Sequence, residues 1–181
     1  MRSVTRVFLL LIAATILAAT SASAKSPLTP IQQMFLLKKM KPDVGTVGII
    51  WAESTNHEEM MPLVKRAVSS TGMKLVVSYA GSMQDVASQF REMKSDHGIQ
   101  ALWIIDDSGV LDNEVACRFL IQNATESGIP ILAPSPDWVT AGASASLQKR
   151  DGEVQIVLNK AAAAATALAV PADYEGRTQY L

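Results

Sequence analysis

Residues 44–51 read VGTVGIIW, a nearly continuous apolar run that predicts a β-strand buried on both faces. Three further apolar runs follow, and segments with helical spacing separate them. The runs span residues 74–79, 101–105 and 129–133, and the helical segments span residues 58–70, 83–93 and 113–127. Strands that alternate with helices need crossover connections, which place parallel strands in one sheet with helices on both faces. We therefore expect an α/β fold with a doubly wound parallel sheet.

The segments on either side of this alternation complete the predicted domain. Before it, Thr29 and Gln32 have the spacing of a capping box, which predicts the start of a helix. After it, Asp151-Gly152 predicts the turn of a C-terminal β-hairpin. Asn159 is then expected to cap an alanine-rich helix, whereas residues 173–181 show no clear pattern.

Residues 1–24 have the pattern of a secretory signal peptide. Two arginines precede an apolar run over residues 7–19, and Ala22 and Ala24 occupy the small-residue positions of a cleavage site. The run is shorter than the about 20 residues that a bilayer crossing needs. We expect cleavage after Ala24, a periplasmic or secreted location, and a single α/β domain over residues 25–181. The alternative is an uncleaved membrane anchor.

Charge and cysteine content exclude several classes of protein. The formal net charge is −1, so the sequence gives no indication of binding to nucleic acid or to an anionic membrane surface. The chain has one cysteine and therefore cannot form an intrachain disulfide. Cys117 lies in an apolar stretch, which favours a buried structural thiol over a reactive one.

Small polar, acidic and aromatic residues follow the carboxyl ends of the four predicted strands. Ligands of open parallel sheets bind at this edge, near the point where the strand order reverses. Hydroxyl, amide, carboxylate and aromatic groups together suit a small polar ligand. The predicted ligand-binding residues are Ser54, Asn56, Asp106, Asp107, Ser135, Asp137 and Trp138.

Each of these residues also has a structural interpretation. Ser54 and Asn56 can instead cap the helix that follows them. Asp106 and Asp107 can bind a ligand amine or a cation, or they can be solvated residues of an acidic loop. Trp138 can stack on a ligand ring or close the end of the sheet.

Motifs of enzymes and metal sites are missing from the sequence. It contains neither a G-x-S-x-G nucleophile motif nor a phosphate-binding loop of the Walker A type. His57 and His97 are the two histidines, and neither has ligand-type neighbours at a useful spacing. Glu58 and Glu59 could bind a metal weakly together with His57, but an exposed helix start explains this cluster better. We therefore predict no enzymatic activity, no cofactor and no metal.

Five segments, at residues 42–51, 72–76, 100–107, 128–133 and 139–143, have motifs that together resemble those of ABC transporter substrate-binding proteins of the type I periplasmic binding protein fold. Residues 42–51, PDVGTVGIIW, are similar to the strand P-x-x-x-x-V-G-V-I-Y of that family. Residues 72–76, GMKLV, resemble G-x-x-L-V, and residues 128–133, GIPILA, resemble x-I-P-V-F-A. Residues 100–107 resemble a strand that ends in aspartate, and residues 139–143 resemble V-x-x-G-A. The resemblance covers about residues 31–145.

The resemblance implies binding rather than catalysis. A full member of the family has two lobes that clamp a ligand, and this chain resembles the second lobe alone. It implies a small polar solute or a protein partner, such as a membrane permease or a sensor, with a homodimer as a further possibility. The alternative is a regulatory module that acts on a membrane signalling partner, because the ending over residues 156–171 also resembles small YfiR-like periplasmic proteins.

Overall fold

A computed structural model describes residues 26–181, and the predicted signal peptide lies outside the described residues. The helices are α1 (Pro30–Met40), α2 (Met60–Ser70), α3 (Met83–Ser95), α4 (Glu114–Glu126), α5 (Pro136–Thr140) and α6 (Lys160–Ala165). The strands are β1 (Ser26–Pro27), β2 (Thr46–Ala52), β3 (Lys74–Ala80), β4 (Ala101–Trp103), β5 (Ile131–Ala133), β6 (Ala145–Arg150), β7 (Glu153–Leu158) and β8 (Thr178–Tyr180). Two 3₁₀ helices span Gly109–Asp112 and Ala172–Arg177.

Within the described residues the strands form one sheet in the order β3-β2-β4-β5-β6-β7-β8, with β1 paired to β6. Strands β2 to β6 are parallel, whereas β7 runs antiparallel to β6 and β8 runs parallel to β7. From β2 the chain moves outward to β3 and then returns across β2 to β4. The strand order therefore reverses between β2 and β4, which defines the switch point of a doubly wound sheet. The predicted fold class is confirmed.

Two hydrophobic layers cover the faces of the sheet. Val47, Ile49 and Trp51 pack into the layer formed with α1 and α2, whereas Ile50 packs into the layer formed with α3 and α4. Successive residues of a strand point to opposite faces, so one strand supplies both layers. Five residues of the predicted apolar runs are at most 1% exposed, as strands covered on both faces require: Val47, Ile49, Trp103, Ile104 and Ile131.

Local sequence signals set the ends of several elements. The capping box of Thr29 and Gln32 is present at the start of α1. Asn159 accepts the backbone N–H of Ala162 at the start of α6. Asp151 and Gly152 have φ values of 52° and 83°, the left-handed pair that a tight hairpin turn between β6 and β7 requires.

Helix α5 and strand β8 were not predicted from the sequence. Strand β8 forms because the tail reaches the free edge of β7, where the Leu181 N–H donates to the Leu158 carbonyl at 2.9 Å. In residues 26–181 no helix has both the length and the apolar character needed to span a membrane.

Candidate functional site

The loops after β2 and β4 meet at the switch point of the sheet. Gly109 has a φ of 58°, and a Cβ on this residue would lie 2.5 Å from Ser54 Oγ and 2.8 Å from Ala52 Cβ. Glycine is therefore needed both for the left-handed backbone and for the close approach of the two loops. The crevice that such a switch point can offer to a ligand is filled here by the chain itself.

Hydroxyl groups fix this contact. Ser108 donates its hydroxyl and its backbone N–H to Asp106 Oδ1. The Thr55 hydroxyl lies 2.6 Å from Ser108 Oγ and donates to it, because the only hydroxyl proton of Ser108 is already shared with the carboxylate. We call the contact of residues 54–55 with residues 108–109 the dividing wall, because a pocket lies on each side of it.

The larger pocket lies at the ends of β2 and β3 and has a volume of about 620 Å³. We call it the tyrosine pocket. Tyr79 is 44% exposed here, and its ring centroid lies 6.1 Å from that of His57. The other residues that line it are Glu53, Thr55, Asn56, Glu58, Met61 and Pro62.

His57 is part of the wall of this pocket, not an exposed helix start. It is 7% exposed and stacks on Trp51 with ring centroids 4.2 Å apart and ring planes 8° apart. His57 Nε2 lies 3.0 Å from the carbonyl oxygen of Ala52, and this nitrogen must donate because a carbonyl only accepts. The prediction of an exposed position for His57 was therefore wrong, because its ring is buried against the ring of Trp51.

Two carboxylates lie close to Gly81, the residue that follows β3. A Cβ on Gly81 would lie 2.7 Å from Glu53 Oε2 and 3.7 Å from Asp85 Oδ2, so both carboxylates approach the end of β3. The Ser82 hydroxyl donates to Asp85, which lowers the pKa of that carboxyl although partial desolvation raises it. The tyrosine pocket therefore combines an exposed aromatic ring with anionic side chains.

The smaller pocket, of about 260 Å³, lies at the ends of β4 and β5. We call it the tryptophan pocket. Its lining residues are Asp107, Leu111, Asp112, Glu114, Cys117, Asp137 and Trp138. Cys117 is half-buried rather than fully buried as predicted. Burial raises the pKa of its thiol, and the carboxylates of Asp107 and Glu114 raise it further.

The predicted site residues are divided between these regions. Three of them line the tryptophan pocket: Asp107, Asp137 and Trp138. Asn56 lines the tyrosine pocket, and Ser54 and Asp106 belong to the dividing wall. Ser135 is half-buried at the start of α5 and makes no side-chain capping bond. Whether any of them binds a ligand stays a prediction.

The structure also shows which residues cap the helices that follow the predicted loops. Helix α2 begins after Glu59, which makes no side-chain capping bond. Asn56 accepts the backbone N–H of Glu58 at 2.9 Å and so shapes the turn before the helix. Asn113 caps α4 by accepting the N–H of Val115.

Sequence reasoning missed the residues that dominate the tyrosine pocket. Tyr79 is the last residue of a predicted strand and Glu53 directly precedes Ser54, but neither is among the predicted ligand-binding residues. The signal that could have found Tyr79 is its place one residue before the end of β3. Among the described residues, no group of three or more His, Cys, Asp or Glu side chains could hold a metal ion.

The chain is similar to known proteins over most of its length. The family model for ABC transporter substrate binding proteins matches residues 19–167. No curated protein matches the sequence significantly.

Solved structures share the fold. A conserved domain protein from Vibrio cholerae matches with a TM-score of 0.69 and 23% identity, over 86% of this chain and 61% of that one. An ABC domain in complex with L-Trp from Streptococcus pneumonia matches with a TM-score of 0.70 and 18% identity, over 84% and 60%. A ligand-free substrate binding protein with adhesive properties from Clostridium difficile matches with a TM-score of 0.68 and 16% identity, over 85% and 60%. The chain thus spans about 60% of the length of these structures, and at such identities the likeness shows the fold alone.

Proposed function

The chain belongs to the ABC transporter substrate binding protein family, and from this premise we propose that it binds a small polar solute without catalysing a reaction on it. The observation that carries the proposal is the tyrosine pocket, which opens at the carboxyl edge of the sheet beside the switch point. Its volume is within the range of about 300–1,000 Å³ that is typical of small-molecule sites. Asn56 and the neighbouring carboxylates supply the polar groups that would orient the solute.

The residues on the other side of the dividing wall form the second part of the proposed site. Asp107 and Asp137 place carboxylates at the same edge of the sheet, and Trp138, although 5% exposed, lines the same pocket. Ser54 and Asp106 are proposed to act mainly through the shape of the loops, because both already contact the chain itself, and Ser135 is proposed to act at the start of α5.

We place this activity outside the cytoplasm. The proposal rests on the predicted signal peptide over residues 1–24, followed by one domain over residues 25–181. A membrane permease or a membrane sensor is the partner that would use a bound solute in that location.

The tyrosine pocket is open to solvent, which limits the affinity with which this chain alone can bind a solute. Tight sites bury about 70–90% of a small ligand, and a pocket that opens on one face of a single lobe buries less. We expect a dissociation constant near 1 mM, about −4 kcal/mol. A second surface, from a protein partner or from another copy of this chain, would raise the affinity by completing the burial.

A protein-interaction module is the second candidate function. The observation in its favour is that three large apolar side chains are exposed: Tyr79 near the carboxyl end of β3, and Leu63 and Val115 in the first turns of α2 and α4, the helices that follow β2 and β4. Exposed apolar side chains that share one edge are typical of a contact surface for another protein.

Nuclear magnetic resonance titration distinguishes these functions. Panels of amino acids, organic acids, amines and sugars would be added to the exported protein while glycine amide signals are followed. Gly81 and Gly109 report on the carboxyl edge, and Gly72 and Gly98 serve as internal controls because they precede β3 and β4 at the opposite edge. If the chain binds a solute at this edge, at least one solute should shift the amide signals of Gly81 or Gly109 and leave those of Gly72 and Gly98 unchanged. The proposal is wrong if no solute moves the signals of Gly81 or Gly109, or if the control signals move equally.

A further inference from the structure

We propose that the ligand of the tyrosine pocket is an organic cation, a compound with an alkylated or primary ammonium group on a compact apolar body. This inference rests on the proposed binding of a solute at that pocket and names the chemical class of the solute. It is carried by three features of the pocket: a stacked aromatic wall, nearby carboxylates, and apolar side chains in the same lining.

The aromatic wall is fixed before any ligand arrives. Trp51 is fully buried, and its ring is stacked on His57. Tyr79 is tilted by 36° against both rings, with centroid distances of 6.3 Å to Trp51 and 6.1 Å to His57. Because Tyr79 remains 44% exposed, part of its ring is available to a ligand. The face of an aromatic ring carries partial negative charge and attracts ammonium groups within about 6 Å of its centroid.

The charged side chains of the pocket have one sign. Glu53 and Glu58 line it, and Asp85 reaches the same strand end near Gly81. None of the described residues that line this pocket is Lys or Arg. An anionic ligand would therefore meet like charges without a compensating cation, whereas an ammonium group would be attracted by the carboxylates and the ring together.

The remaining wall disfavours a bare metal ion. Met61 and Pro62 present apolar groups to the pocket, and hard cations such as Mg²⁺ and Ca²⁺ prefer shells made of oxygen. The His57 Nε2–H is engaged by the Ala52 carbonyl and is directed at the chain rather than at a ligand. A compact apolar body with a positive group fits both the apolar side and the anionic side.

Three probes of nearly equal shape isolate the effect of charge. Choline carries a quaternary ammonium group, 3,3-dimethylbutan-1-ol replaces the charged nitrogen by carbon, and 3,3-dimethylbutanoate carries a negative charge on the same tert-butyl framework. We expect choline to shift the Gly81 amide signal with an affinity about tenfold higher than that of the alcohol, the gain that a cation–π contact with a nearby carboxylate gives. The butanoate is expected to produce no shift at Gly81 at equal concentration.

Matched variants assign the effect to the residues. Tyr79→Leu keeps an apolar side chain and removes the ring, and Glu53→Gln keeps the shape and removes the charge. Each is expected to reduce choline affinity about threefold to tenfold and to leave the weak binding of the alcohol unchanged. Tyr180→Leu and Glu126→Gln are the controls, because both residues are exposed and lie away from the pocket. Gly81→Ala, followed at the backbone amide of position 81, would displace the Glu53 carboxylate and should reproduce the effect of Glu53→Gln.

The outcomes separate this inference from the proposed function. Equal binding of choline and the alcohol, tighter binding of the butanoate, or an equal loss of both ligands in Tyr79→Leu overturns the organic cation. If other solutes still shift Gly81, the proposed function stands without it. If choline and every solute of the panels leave Gly81 and Gly109 unmoved, both proposals are wrong.

Discussion

The tyrosine pocket and the tryptophan pocket share one edge of the sheet but use their aromatic residue in opposite ways. Tyr79 is 44% exposed and forms part of the open surface of its pocket, whereas Trp138 is 5% exposed and belongs to the hydrophobic core between the sheet and its helices. Both residues lie close to the carboxyl end of a parallel strand. The difference shows that nearness to this edge makes a residue a candidate, but packing decides whether its side chain is available to a ligand.

The largest expected effect comes from replacing the aromatic side chains of Trp138 and Tyr79, which tests this comparison directly. Trp138→Ala should lower the free energy of unfolding by about 3–5 kcal/mol, because it leaves a cavity in the core. Tyr79→Ala should lower it by about 1 kcal/mol, because the ring is already partly in water. Urea denaturation measures both values. An equal cost for the two variants would mean that Tyr79 is as structural as Trp138.

The second prediction concerns the dividing wall between the pockets. Gly109→Ala should cost about 2–3 kcal/mol, since it adds a clash with Ser54 and Ala52 to the strain of a left-handed backbone. Gly128→Ala is the matched control, because its φ of 68° is similar and nothing lies within 4 Å of the added Cβ. The control should cost about 1–2 kcal/mol by thermal or urea unfolding. If the two costs agree, the wall does not pack as tightly as described.

The third prediction weighs the hydroxyl contacts of the same wall. Ser108→Ala removes the group that joins Thr55 to Asp106 and should cost about 1 kcal/mol. Ser88→Ala, which removes an exposed hydroxyl of α3, should cost less than about 0.5 kcal/mol. In a double-mutant cycle, Ser108→Ala combined with Thr55→Val should cost less than the sum of the two single variants, because both remove the same hydrogen bond. Strict additivity of the two costs would argue against the hydrogen bond between them.

The smallest expected effect concerns the pKa of the Cys117 thiol in the tryptophan pocket. Burial, Asp107 and Glu114 raise the pKa of the Cys117 thiol, so its alkylation by iodoacetamide should reach half of its maximal rate at a higher pH than that of a free thiol. Because the folded-state pKa is raised, the neutral thiol contributes its stability below the unfolded pKa, and this is lost as the pH rises through the folded pKa. Asp107→Asn should shift the alkylation profile to lower pH, whereas Glu126→Gln should leave it in place. A profile like that of a free thiol in the unmodified protein would contradict the described environment.

The central part of the fold was predicted because its signals are local. Apolar strand runs, the capping box at Thr29 and the left-handed turn at Asp151-Gly152 depend on residues close together in the chain. Strand β8 escaped prediction because it depends on the free edge of β7, about twenty residues earlier in the chain. The candidate site was predicted only as far as the loops that contain it, since the positions of Ser54 and Asp106 depend on contacts within and between those loops.

The sequence by itself determined the alternation of the four central strands with their helices, the apolar runs that fill the centre of the sheet and the family to which the chain is similar. These follow from composition, from periodicity and from short motifs, all of which can be read along the chain. Only the tertiary structure decided that residues 54–55 and 108–109 close the switch point, that His57 stacks on Trp51, and that Tyr79 is exposed whereas Trp138 is buried. The physical reason is that burial and stacking depend on which distant segments meet, and those meetings are fixed by the packing of the whole sheet with its helices.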